Sequence, residues 1–158
     1  MSTFVIGDVH GRRAQLRRLV EMIPLRIGAD ALVILGDLID RGEDAPGAVD
    51  DCIDLERGGA VILRGNHEQM LLNFLDDGAP LWLHPAVGSH RTFEQYTDRH
   101  LTDAARRDPE ATRREVERAL PARHVEFFRS RPLFHEDEHA IYVHAGLEVG
   151  KHPSECTD

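Results

Sequence analysis

The stretch that decides the reading is "TFVIGDVHG", residues 3–11. An apolar, β-branched run from Thr3 to Ile6 empties at once into Gly7, Asp8, Val9, His10 and Gly11, so a short strand ends in a carboxylate and an imidazole. The same arrangement recurs twice: "ALVILGD" at 31–37 ends in Gly36 and Asp37, and "AVILRGN" at 60–66 ends in Gly65 and Asn66. Asp8, Asp37 and Asn66 are 29 residues apart each time. A fourth run, "AIYVHAG" from 140, carries His144. All four runs read as buried strands.

Between the first two runs, "RRAQLRRLVEMI" sets Leu16, Leu19, Val20 and Ile23 on one helical face, with Pro24 just beyond. Between the second and third, "DAPGAVDDCIDLERGG" sets Ala48, Val49, Cys52, Ile53 and Leu55 on a similar stripe and stops at Gly58 and Gly59. Strand, helix, strand, helix, strand predicts an α/β fold with parallel strands and right-handed crossovers. Equal crossovers bring equivalent strand ends together, so Asp8, Asp37 and Asn66 converge at the carboxyl edge, where open α/β sheets place ligands. The glycine before each lets the backbone turn and approach closely, and His10, two residues after Asp8, projects to the same side where the chain stays extended.

Residues 68–139 differ, with helical pieces at "EQMLLNFLDD", "RTFEQY", "REVERAL" and "PARHVEFFRS" broken by Gly78, Pro80, Pro85 and Pro109. A helical insertion before the last strand is expected, capping one wall of the site. The charged stretch 98–119 is expected to be partly mobile. At 158 residues the chain fits one domain, 1–158, and no apolar run approaches the ~20 residues of a membrane span. The N-terminus has no basic region followed by an apolar one, so a cytoplasmic protein is expected. Cys52 and Cys156 are too few and too far apart for a disulfide framework and are expected as free thiols. A net charge of −9 disfavours nucleic acid, and no membrane partner is expected.

Two carboxylates, an imidazole, an amide oxygen and a later histidine make a mixed oxygen and nitrogen set suited to Mn²⁺, Fe or Zn²⁺ more than to Ca²⁺. A shared Asp37 would bridge two metals at the roughly 3.5 to 4 Å separation of two-metal hydrolytic sites. A lone Gly-Asp after a strand is usually a turn, whereas three in register point to a site. Arg41 and Arg64 taken alone would read as surface ion pairs, Asp40 as a turn residue and His67 as a residue opening a helix.

"GDVHG" (7–11), "GDLIDRG" (36–42), "RGNHE" (64–68) and "HAGL" (144–147), in that order, resemble the phosphoprotein phosphatase branch of the calcineurin-like metallophosphoesterases. The likeness runs from Phe4 to about Leu147 and is nearest to the small bacterial and bacteriophage serine/threonine phosphatases. The diadenosine tetraphosphatase group is expected to be less similar, because Asp40 and Arg41 are both intact in "GDLIDRG". The resemblance implies a metallophosphoesterase-like β-sandwich flanked by helices. It also implies two divalent metals, manganese with iron or zinc as alternatives. Asp8, His10 and Asp37 would hold the first metal, and Asp37, Asn66 and His144 the second. His67 would be the general acid, oriented by Asp40, with Arg41 and Arg64 on the phosphoryl oxygens. The implied activity is a metal-dependent phosphomonoesterase that uses a metal-activated hydroxide on a phosphoprotein or small phosphate ester. The alternatives are a non-catalytic metal- and phosphate-binding remnant and a dinucleoside polyphosphate hydrolase.

Measured against the resemblance, the chain is C-terminally shortened, since the family supplies a further histidine ligand, another phosphate-binding arginine and more strands beyond the "HAG" motif. Three consequences compete: a weaker second metal site, His152 folding back as a substitute ligand, or a second subunit covering the exposed sheet edge. His84, His90, His100, His124, His135 and His139 are assigned to structure or surface. Glu68 is assigned to opening its helix, where a carboxylate complements the dipole.

Overall fold

The computed structural model describes residues 2–26 and 28–156. Three strands, β1 (Thr3–Ile6), β2 (Ala31–Ile34) and β3 (Val61–Ile62), form a parallel sheet in that order. Helices α1 (Arg13–Met22) and α2 (Ala45–Arg57) make the two crossovers. Asp44 caps α2 by accepting from the Gly47 N–H, Pro46 stands in its first turn, and Ala48, Val49 and Cys52 bury the inner face. β2 is the covered strand, with Leu32, Val33 and Ile34 all buried. β1 is an edge strand, and Val5 is 46% exposed. The expectation of buried strands therefore holds for β2 and fails at Val5.

Paired positions in the sheet are 28 residues apart: Thr3 faces Ala31 and Val33 faces Val61. The site residues are spaced by 29. Each successive loop thus carries one more residue past its strand before the polar side chain is presented, and the extra length is absorbed by turns instead of extended chain.

The region after β3 holds α3 (Asn66–Asp77), two short 3-10 turns (Pro80–Leu83 and Pro85–Val87), α4 (His90–Thr97), α5 (Asp103–Arg107), α6 (Pro109–Ala119) and α7 (Ala122–Ser130). It is not an appendage, because Phe74, Trp82, Phe93 and Phe128 belong to the same buried cluster as Ile34, Leu38, Val49 and Ile62. The charged stretch 98–119 contains α5 and α6. Arg113 pairs with Glu110 and Glu117 and donates to the Leu75 carbonyl, while Thr112 and Val116 are buried beneath. A strand not foreseen, β4 (Phe134–Glu136), pairs antiparallel with β5 (Ile141–Val143), the fourth apolar run. Ile141 in β5 is exposed, again unlike the buried strand expected. Cys52 and Cys156 are free thiols. Among the described residues no helix is long and apolar enough to cross a membrane.

Candidate metal centre

The three strand ends meet because two glycines allow their loops to touch. A Cβ on Gly36 would collide with the backbone of Gly65, and one on Gly65 would collide with Asp37. Gly7 has open space around it, so the first of the three glycines is not required by packing. The loops are also bent unusually. Among the described residues, five that are not glycine have positive φ, and four of them are site residues: His10 (44°), Asp37 (50°), Asp40 (70°) and Arg41 (63°). Such conformations persist only where surrounding contacts over-determine them. His10 therefore reaches Asp8 through a left-handed turn, not along an extended chain, and its Nε2 lies 3.6 Å from Asp8 Oδ2 and 3.6 Å from Asp37 Oδ2.

Glu68 is what pins these loops. Its carboxylate is buried and accepts from the backbone N–H groups of Asp37 (2.9 Å), Leu38 (2.8 Å), Ile39 (3.3 Å) and Gly65 (2.9 Å). Opening α3, the role assigned to it, is only the Gly65 part of this work. Burial is the main reason its carboxyl is pushed up to about 7. The Asp37 charge adds to the shift, and the bonds from Gly65, Leu38 and Ile39 oppose it. A second brace comes from α4 and the turn before it. Thr92 Oγ1 accepts from Asp40 N (2.8 Å), Gln95 donates to Gly42 O and accepts from Ala45 N, and Gly88 O accepts from Arg41 N. Nothing in the "RTFEQY" pattern signals this, because the partners lie about fifty positions away in sequence.

His67 Nδ1 lies 2.7 Å from Asp40 Oδ2, and both side chains are buried. Burial, the largest influence, works against a charged His67. The Asp40 hydrogen bond and the Asp37 and Asp40 charges outweigh it, and the net shift is upward despite opposition from Arg41. Arg41 reaches inward and donates from Nη1 to His10 Nε2 (2.9 Å) and from Nη2 to His67 Nε2 (3.0 Å). Arg64 is set differently: among the described residues its buried Nε has no hydrogen-bond partner, while its backbone N–H donates to Pro132 O.

Two overlapping donor groups result, each with its ligand atoms within 4.8 Å of one another: His10, Asp37 and His67, and Asp8, Asp37 and His144. Asp37 is common to both. His10 Nδ1 donates to Ile39 O (2.9 Å) and His144 Nδ1 donates to Leu35 O (3.0 Å), which leaves Nε2 of each ring with a lone pair facing the cluster. His144 Nε2 then lies 2.8 Å from Asn66 Oδ1 and 3.4 Å from Asp37 Oδ1. The donor types, imidazole nitrogen with carboxylate and amide oxygens, suit a borderline divalent metal. The residues present fit such an ion. His152 does not reach them; it contacts Glu136 and Ser154 and packs against Phe134. The six histidines assigned elsewhere stay out of both groups, and His124 is buried between Tyr96 and Asp50.

Parallel strands thus end in a carboxylate–imidazole cluster that could hold a metal ion, beside a buried histidine–aspartate pair. The chain belongs to the calcineurin-like phosphoesterase family, whose profile matches residues 1–152. It is 31% identical to the symmetrical bis(5'-nucleosyl)-tetraphosphatase of Methylococcus capsulatus, over 93% of this chain and 44% of that protein. The corresponding protein of Thioalkalivibrio sulfidiphilus is 30% identical over 93% of this chain and 46% of that protein. Serine/threonine-protein phosphatase 1 of Salmonella typhimurium is 39% identical, over 64% of this chain and 44% of that protein. A crystal structure assigned as a diadenosine tetraphosphatase shares the fold, with a TM-score of 0.65 at 24% identity, covering 99% of this chain and 55% of the other. The chain spans less than half the length of these curated relatives. The expectation that tetraphosphatases are the less similar group is corrected: they match over 93% of the chain and the phosphatase over 64%. Asp40 and Arg41 are two positions, too few to outweigh likeness spread through the helical region.

Proposed function

We propose that the chain hydrolyses phosphate esters or anhydrides with divalent metal ions, Mn²⁺ first with Fe or Zn²⁺ as alternatives, held by Asp8, His10, Asp37, Asn66 and His144. The observation that carries the reading is Asp37 standing in two donor groups beside the buried Asp40–His67 pair. When bound, such ions supply Lewis acidity that neutralises phosphoryl charge and makes water a usable nucleophile at neutral pH. His67 holds the proton for the leaving oxygen at Nε2, and Asp40 fixes the ring by accepting from Nδ1. That role requires Arg41 to turn away from the His67 lone pair, which frees its fork for phosphoryl oxygens. Arg64, with an unpartnered buried Nε, is the second candidate for those oxygens.

A histidine placed to protonate the leaving oxygen matters most when the leaving group is a poor one, such as the alkoxide of phosphoserine or phosphothreonine, and this supports a phosphoprotein or small phosphate-ester substrate. The tetraphosphatase relatives, matched over 93% of the chain, support a second reading, dinucleoside polyphosphates. The test is turnover of p-nitrophenyl phosphate and of an alkyl phosphate by the Mn²⁺-loaded chain and its His67→Asn variant. We expect a loss of about 10²-fold or more on the alkyl ester and a smaller loss on the aryl ester, whose leaving group needs less protonation. Equal activity of variant and parent on both esters removes His67 from the mechanism. Metal binding without turnover of any phosphate compound returns the chain to the binding-remnant alternative.

A further inference from the structure

Although the chain is acidic overall, three arginines gather at one place beside the metal centre. Arg12, Arg41 and Arg91 border a cleft of about 340 Å³ between the start of α1 and the turn after Arg41, with Gly11, Gln15 and Gly42 also in its wall. Most arginines of this chain are paired with carboxylates. Arg12 and Arg91 make no side-chain hydrogen bond or ion pair among the described residues, and both are exposed. The other charged groups at the cleft are Arg13 and Arg17, which are held by Asp51, Asp44, which pairs with Arg13, and Glu43 on the rim. Net positive charge remains, from three guanidinium groups against one carboxylate without a partner.

The cleft is continuous with the donor cluster through Arg41. The same guanidinium that lines it donates to His10 Nε2 and His67 Nε2, and Gly11 in its wall directly follows His10. The first turn of α1 opens onto it with no acidic residue and no side-chain cap, so its N–H groups add positive potential. A group bound at the cluster through one phosphoryl unit extends past Arg41 into this space. What three forked donors around one cleft select is a compact polyanion, not an extended acidic peptide, which would meet Glu43 on the rim.

We infer that the Arg12–Arg91 cleft is a subsite for a second phosphoryl group carried by the ligand whose first phosphoryl group sits at the metal cluster. The inference rests on the phosphohydrolase reading for the identity of the first position, and it selects ligands with linked phosphates over simple monoesters. Arg12 and Arg91 are the specificity-determining residues; Arg41 serves both positions.

The experiment is calorimetric binding of inorganic triphosphate and of orthophosphate to the full chain at low salt, once loaded with Mn²⁺ and once in EDTA, for the parent, Arg12→Ala/Arg91→Ala and, as a charge control, Arg18→Ala. The double variant is expected to bind triphosphate about tenfold or more weakly, with a much smaller loss for orthophosphate and little change in Arg18→Ala, since hydrogen bonds to charged groups are worth about 1.5 to 3 kcal/mol. Equal losses for the two anions, equal losses in the control, or an unchanged triphosphate affinity would each overturn the subsite. So would displacement of triphosphate by a singly phosphorylated peptide as readily as by triphosphate itself. Binding needs no turnover, so the two ideas fail separately. A chain that hydrolyses nothing yet loses triphosphate with Arg12 and Arg91 keeps the subsite without the hydrolase, and a chain that hydrolyses aryl phosphate while the double variant binds triphosphate normally keeps the hydrolase without the subsite.

Discussion

The two sides of the donor cluster are held in different ways. On the Asp37 side, Asp37, Asp40 and His67 are almost fully buried, and the left-handed turns that aim them are fastened by Glu68, Thr92, Gln95 and Gly88. On the other side, His144 follows β5, in a hairpin that leaves Ile141, Leu147 and Val149 exposed. Its attachments are polar: the Leu35 carbonyl, Asn66, and a Thr3–Asp137 hydrogen bond at the hairpin turn. Strained backbone is retained where buried hydrogen bonds leave it no alternative, whereas a donor tethered by a few part-exposed bonds moves with the element that carries it. One side is built for aim and the other for adjustment.

The strongest way to break this contrast is Glu68→Ala. Four buried N–H groups lose their acceptor at once, and a destabilisation of about 3 kcal/mol or more is expected in urea unfolding. A change under about 1 kcal/mol would mean that the loops hold themselves. Glu68→Gln should fall between, because it keeps one acceptor and turns an amide N–H toward a donor. Thr92→Val is next: it strands the Asp40 N–H in a buried place, so a loss of about 1 to 2 kcal/mol is expected. Turnover should drop further than stability predicts, because Asp40 aims His67. His144→Ala sharpens the comparison from the other side. Unfolding should change by less than about 1 kcal/mol, while Mn²⁺ affinity, read by titration, falls at least about tenfold. An equal effect on fold and metal would make the two sides alike.

Much of the site was legible because it is carried by strand ends, whose register is set by equal crossovers. Asp8 and Asp37 converge with His144, Asn66 lies against His144, and the Asp40–His67 pair is in place. What the sequence hides is how the loops are held. Glu68 looks like any first-turn acid until the Asp37–Ile39 backbone, some thirty residues earlier, is brought over it. His10 departs from the alternation of an extended chain because a left-handed turn has no periodic signature. The charge of residues 98–119 hides two helices; the pairing of Arg113 with Glu110 and Glu117 at helical spacing, and the burial of Thr112 and Val116 four apart, hold α6. Exposure of Val5 and Ile141 was equally unreadable, since apolar composition describes a strand's preference and not what lies against it.

The smallest expected effect lies between the two crossover helices, where Asp51 of α2 takes paired hydrogen bonds from Arg13 (2.9 and 3.0 Å) and Arg17 (2.6 and 2.7 Å) of α1. Burial alone would raise its carboxyl, but the bonds from Arg17 and Arg13 and their charges prevail and hold it at about 2. Because the folded value is the lower one, this contribution is present above the unfolded carboxylate value near 4 and is lost as pH falls from about 4 toward 2. The full shift would correspond to about 2.5 kcal/mol. Arg13 and Arg17 are 32% and 57% exposed, so solvent screening reduces it to about 1 kcal/mol. Unfolding of the parent should therefore lose about that much more than Asp51→Asn between pH 5 and 2.5, and the difference should shrink in high salt. Identical pH profiles would show that the clamp contributes nothing. Like Glu68, Asp51 is a carboxylate taking four hydrogen bonds that join two elements, but Glu68 takes them from backbone groups with no access to water. Burial, rather than the number of bonds, sets the larger effect inside and the smaller one here.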